Sequence, residues 1–76
     1  MRKGYAIRDF HQRGWLQTRS KVEGFNCPVT IWAEEEDQAM QFSKLDEARA
    51  MLKAVRKDHR RPERVRILDP RWRVIM

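Results

Sequence analysis

Eight basic side chains recur at spacings that gather positive charge onto faces. Arg49, Lys53, Arg56 and Arg60 succeed one another at three or four residues. On a helix turning about 100° per residue they fall within about 60° of arc. No acid interrupts this row, and like charges at i,i+4 each cost a few tenths of a kcal/mol. Arg64, Arg66, Arg71 and Arg73 alternate on two segments separated by Asp69-Pro70. That is the pattern of a hairpin with four guanidinium groups on one sheet face. Like charges facing each other across strands are destabilising, whereas planar guanidinium groups suit bidentate contact with phosphate or carboxylate. The chemistry implied is capture of an anionic partner. Two internal uses compete with it. Long basic stems cover the edge of a core as a solvated flank, and Glu34, Glu35 and Glu36 extend a neighbouring strand that could neutralise the arginines.

Other chemistry-bearing residues are sparse. Glu34-Glu35-Glu36-Asp37 is an acidic knot, a secondary candidate for protein contact, without the glycine and alternating ligands of a calcium loop. His11 and His59 are lone residues in polar segments, and Cys27 precedes Pro28 with no His-Asp pattern to activate it. Glycines at 4, 14 and 24 stand in isolation, so no phosphate-cradling loop is present. The expectation is a chain that is not an enzyme, with no metal and no cofactor. Among the aromatic residues, Trp32, Phe42 and Trp72 sit at core-phased positions, while Trp15 and Phe25 lie near turns and are the candidates for exposed base-stacking platforms.

The elements that must position these residues are read from periodicity. Gly4 to Phe10 reads as a strand with Tyr5 and Ile7 on one face and Ala6 and Arg8 on the other. A polar turn over His11–Gly14 leads to Trp15–Thr18 and so to a first hairpin. Ser20–Pro28 reads as a loop, and Val29–Ala33 is the best strand in the chain. Ser43 is placed to cap a helix running from about Lys44 to about Asp58, with Asp46 reaching back to complete a capping box. Leu45, Ala48, Leu52 and Val55 form its apolar stripe, with Met51 at the margin. Arg64–Leu68 and Arg71–Ile75 then alternate again, with Val65, Ile67, Trp72 and Val74 inward. The expected fold is α+β, a small antiparallel sheet in the order β-β-β-α-β-β with one helix packed on one face.

Seventy-six residues hold 17 Lys+Arg against 11 Asp+Glu, a net charge of +6. Such a length supports a single domain over residues 1–76 with a modest core. One cysteine excludes an internal disulfide framework, and no apolar run is long enough to cross a membrane. A reduced, cytoplasmic setting is expected. Residues 1–43 carry six basic and six acidic side chains, whereas residues 44–76 carry eleven basic and five acidic. The whole excess therefore sits in the helix and the last strands. Such a dipole bears on partners and association, not on fold.

Trp32, Ala39, Phe42, Ser43, Glu47 and Ala48, with Val65-Arg66-Ile67 after them, resemble a pattern in small uncharacterised phage and prophage proteins: a Trp-bearing strand, Ala-x-x-Phe-Ser, and a helix beginning with Glu-Ala. The resemblance spans roughly residues 5–68. It implies a mobile-element setting, in which some proteins of this size are anti-CRISPR inhibitors of a Cas effector, and it assigns no functional residue. The leading expectation is a basic module contacting nucleic acid or a nucleoprotein complex through Arg49, Lys53, Arg56, Arg60, Arg64, Arg66, Arg71 and Arg73. The alternative is a protein-protein inhibitor engaging a host protein through the arginine face or Glu34–Asp37. A third possibility is a structural homodimer formed through an edge strand.

Overall fold

Alternating side chains give the first strands two usable faces, and pairing sorts them. A computed structural model describes residues 4–12, 14–21, 23, 24, 26 and 28–76. The expected candidates Phe25 and Cys27 lie outside the described residues. Strands β1 (Ala6–Asp9), β2 (Gly14–Ser20), β3 (Val29–Ala33) and β4 (Val65–Leu68) form one antiparallel sheet in the order β3-β2-β1-β4. A single helix, α1 (Leu45–Asp58), crosses one face. The fold class expected from the sequence is therefore the observed one.

On the helix side, Ile7, Leu16, Val65 and Ile67 meet Ala48, Leu52 and Val55, with Phe42 closing one end; all are buried. Burying each larger aliphatic side chain contributes about 1.5–3 kcal/mol, so this layer is the main source of stability. The expected helical stripe is seen: Ala48, Leu52 and Val55 are buried, and Leu45 and Met51 pack at the edges. The far face holds a smaller cluster of Ala6, Trp15, Ala39 and Leu68. Trp15, expected near the surface, is only 2% exposed. Its ring lies under Arg8 and against Trp72, a covering that local sequence does not reveal.

Two local expectations give way to backbone pairing. Ser43 does not cap α1: the N-cap is Lys44, and no side chain caps this end. The reason lies one residue earlier. Phe42 and Tyr5 exchange both backbone hydrogen bonds at 2.8 Å, which holds the chain extended into the helix start. Gly4 belongs to the same contact, since a Cβ there would sit 2.5 Å from the Phe42 carbonyl oxygen. The bulge between Leu16 and Thr18 shifts the β2–β3 register and brings Arg19 round to Asp58 at the end of α1, at 2.5 Å.

The second correction concerns the final segment. Arg71–Ile75 is not a fifth strand. The carboxylate of Asp69 accepts the amides of Arg71 and Arg73, both at 2.9 Å, and the Asp69 carbonyl accepts the amide of Trp72 at 3.0 Å. A side chain that captures neighbouring amides competes with a strand ladder. Trp72 adopts φ 69°, a left-handed conformation that costs a bulky residue about 1–3 kcal/mol. The alternation is thereby broken, and Trp72 and Val74, expected inward, are 50% and 45% exposed. Beyond the turn the tail meets β4 through two backbone bonds at Ile67, to Ile75 and Met76, and a bridge from Val74 to Leu68.

Candidate functional site

Two clusters of charged side chains stand out, and their hydrogen bonding separates them. The first joins Asp9, at the end of β1, to His59, just past α1. Asp9 is buried, its Oδ1 accepts the amides of His11 and Gln12, and its Oδ2 meets His59 Nε2 at 2.8 Å. His59 Nδ1 accepts the Arg61 amide at 2.8 Å. That bond fixes the tautomer: Nδ1 is bare, so Nε2 carries the proton and donates to Asp9. The ring also stands edge-on to Trp32, 5.9 Å between centroids. Both nitrogens are committed within the protein, leaving none to take a proton from a substrate. His59 is thus not the lone residue its sequence context implies. It fastens the first hairpin to the helix end, fifty residues away along the chain.

The second cluster lies on the sheet face away from α1. Antiparallel pairing sets Arg8 of β1 directly across from Arg66 of β4, and the Phe10 amide donates to the Arg64 carbonyl at 2.8 Å. The Arg8 guanidinium sits 4.7 Å from the Trp15 ring centroid and 5.5 Å from that of Phe10. Such stacking contributes about 0.5–2 kcal/mol. Trp72 continues the ladder, edge-on to Trp15 at 5.5 Å and 85°. The Arg8 Nε is buried without a hydrogen-bond partner. Among the described residues no carboxylate pairs with Arg8, Arg64 or Arg66. Like charges in this arrangement repel unless an anion is placed between them.

The expected basic rows meet around the β4 edge. A hollow of about 410 Å³ is lined by Arg49, Lys53, Arg56 and Met76 among others. It adjoins one of about 390 Å³ that shares Arg56 and Met76 and adds Arg66. A third, of about 460 Å³, shares Arg66 and adds Phe10, Arg64 and Val74. Arg49, Lys53, Arg56, Arg66 and Arg64 therefore line a trench of three adjoining hollows that runs from the helix to the open face. Among the described residues its one acid is Glu63, between the second and third hollows. Arg56 is partly spent internally, its Nε and Nη2 donating to the Val65 carbonyl at 3.1 and 2.8 Å.

The remaining expected residues stand apart. Arg60 lies beyond the helix end at Asp58, so it leaves the helical row, although it is exposed. Arg71 is exposed in the C-terminal turn. Arg73 is bound to Asp69 at 2.8 Å. The backbone amide of Arg73, then its side chain and the Arg71 amide, hold the Asp69 carboxyl below its ordinary value of 3.8, against an opposing effect of burial. The four arginines therefore do not form one hairpin face; Arg64 and Arg66 combine instead with Arg8, which lies outside both basic rows of the sequence. The only local signal for Arg8 is its phase opposite Ile7, and strand order is needed to give that phase meaning.

The acidic knot is exposed at Glu34, Glu35 and Asp37 and partly buried at Glu36, in a short 3₁₀ turn (Glu36–Gln38) after β3. The expectation that it neutralises the arginines fails on topology: β3 and β4 occupy opposite edges of the sheet. None of Arg64, Arg66, Arg71 and Arg73 pairs with it. Among the described residues no group of three His, Cys, Asp or Glu side chains could hold a metal ion, and no helix is long and apolar enough to cross a membrane. Comparison with protein-family models, curated proteins and solved structures returns no match, which leaves the geometry of this face as the basis for a functional reading.

Proposed function

We propose that this chain is a non-enzymatic binding module of phage or mobile-element type, acting in the cytoplasm, that contacts nucleic acid or a nucleoprotein complex through the arginine-lined trench. The observation that carries the reading is the Arg8–Arg66 pairing. Arg8 and Arg66 occupy directly opposed positions on adjacent strands, with Arg64 nearby on β4's side and no carboxylate among the described residues bonded to any of the three. The opposition of like charges itself adds nothing to stability, whereas a phosphate backbone supplies the missing counter-charge. Arg49, Lys53 and Arg56 extend the same surface around the β4 edge.

Fluorescence anisotropy with labelled RNA and DNA at about 50 mM and 200 mM salt tests it. The reading expects binding at the lower concentration and a loss of affinity of tenfold or more at the higher, since each phosphate contact releases counterions. An absence of binding at low salt, or binding indifferent to salt, removes it. A second reading is favoured by the exposed acids Glu34, Glu35 and Asp37 on the far edge. Opposite charges on opposite edges suit an inhibitor of anti-CRISPR type that meets a protein partner. Capture of a partner that survives nuclease treatment and is lost on Glu34→Lys/Glu35→Lys substitution supports that alternative.

A further inference from the structure

The open sheet face carries aromatic rings as well as cations. Phe10 is 40% and Trp72 50% exposed. They flank the buried Trp15 through successive contacts, Phe10 to Arg8 to Trp15 to Trp72. Trp72 is held there at a conformational cost. Its φ of 69° is maintained by the Asp69 turn, and strained backbone of this kind concentrates at ligand clamps. Burial does not explain the strain, because Trp72 is half exposed as a residue.

We propose that the nucleic acid taken by this face is single-stranded, with bases stacking on Phe10 and Trp72 while Arg8, Arg64 and Arg66 meet the phosphates. This rests on the nucleic-acid reading of the same face and narrows it. In a duplex the base faces are hidden within the stack and only phosphates and groove edges are presented, so the exposed parts of the two rings would meet no base. Unpaired bases offer planar faces that aromatic side chains accept with little regard to sequence. An acidic peptide would satisfy the cations alone, having no regular supply of planar groups for the rings.

The experiment compares 12-nucleotide single strands of mixed sequence, as RNA and as DNA, with the matching blunt duplexes at one low salt concentration. The intact chain is tested beside Phe10→Leu, which keeps apolar bulk, Phe10→Tyr, which keeps the ring, and Trp72→Gly, which relieves the backbone. The single strands are expected to bind at least tenfold more tightly than the duplexes. Phe10→Leu and Trp72→Gly should each lower single-strand affinity by about 5- to 100-fold, with duplex affinity unchanged and Phe10→Tyr close to the parent. The RNA and DNA arms identify which single strand is preferred. Equal binding of duplex and single strand, or single-strand affinity indifferent to Phe10→Leu in a variant with native circular dichroism, overturns the inference and leaves the broader reading in place. No binding to any of the four probes removes both.

Discussion

The two faces of the sheet are built from the same strands and differ in every physical respect. Toward α1, alternate positions carry Ile7, Leu16, Val65 and Ile67, all sealed under the helix. Away from it, the intervening positions carry Ala6, Arg8, Trp15, Arg66 and Leu68. Here a small apolar cluster supports charged and aromatic groups instead of burying them. One face answers to packing. The other sets two arginines at opposed positions and holds a tryptophan in strained backbone, both of which count against folding even where the rings stack. A period-two strand lets a small chain separate the two demands residue by residue.

Substitution can break this comparison, and the largest effects belong to the helix side. Leu52→Ala is expected to cost about 2–5 kcal/mol in urea unfolding, from lost transfer energy and a cavity, while leaving the open face's ligand contacts intact in the folded fraction. Asp9→Ala comes next at about 3 kcal/mol, because it leaves the His59 Nε2–H and the His11 and Gln12 amides without their acceptor. On the open face the expectation changes. Trp72→Gly should alter stability by no more than about 1 kcal/mol, since relief of the positive φ offsets loss of the edge contact with Trp15.

Arg66→Ala belongs lower still. It should change stability by less than about 0.5 kcal/mol, in the stabilising direction because the repulsion with Arg8 is removed. A cost of about 2 kcal/mol or more for Arg66→Ala, well beyond the usual range for surface substitutions, would place the open face among structural features and dissolve the distinction. Acid titration gives the smallest effect. The folded Asp69 carboxyl titrates below its ordinary value of 3.8, so its contribution is complete above that pH and is lost as pH falls through the lower folded value. The Trp72 indole proton resonance should hold steady above that range and shift below it.

Legibility in the sequence tracks the range of the interactions. The helix over Leu45–Asp58 and the strand Val29–Ala33 are readable because their periodicity and composition are local. The end of the chain misleads for a reason equally local: Arg71-Trp72-Arg73-Val74 alternates like a strand, but the Asp69 carboxylate takes the amides the ladder needs. Ser43 fails as a cap because Phe42 is paired to Tyr5, a contact between residues far apart in the chain. The charged face is the least legible. Arg64 and Arg66 are identifiable as a basic pair, but their true neighbour is Arg8, on the first strand. That neighbour is set by the order β3-β2-β1-β4, which no spacing encodes.

The most direct test of the central claim is the salt dependence of single-strand binding for the parent chain and for Arg8→Ala/Arg66→Ala. The account predicts a linear fall of log affinity with log salt whose slope becomes shallower by about 1.4 in the double variant, two phosphate contacts at about 0.7 each, in a protein that keeps its native circular dichroism. Identical slopes in the two proteins, with affinity undiminished, would contradict it and show that the facing arginines meet no phosphate.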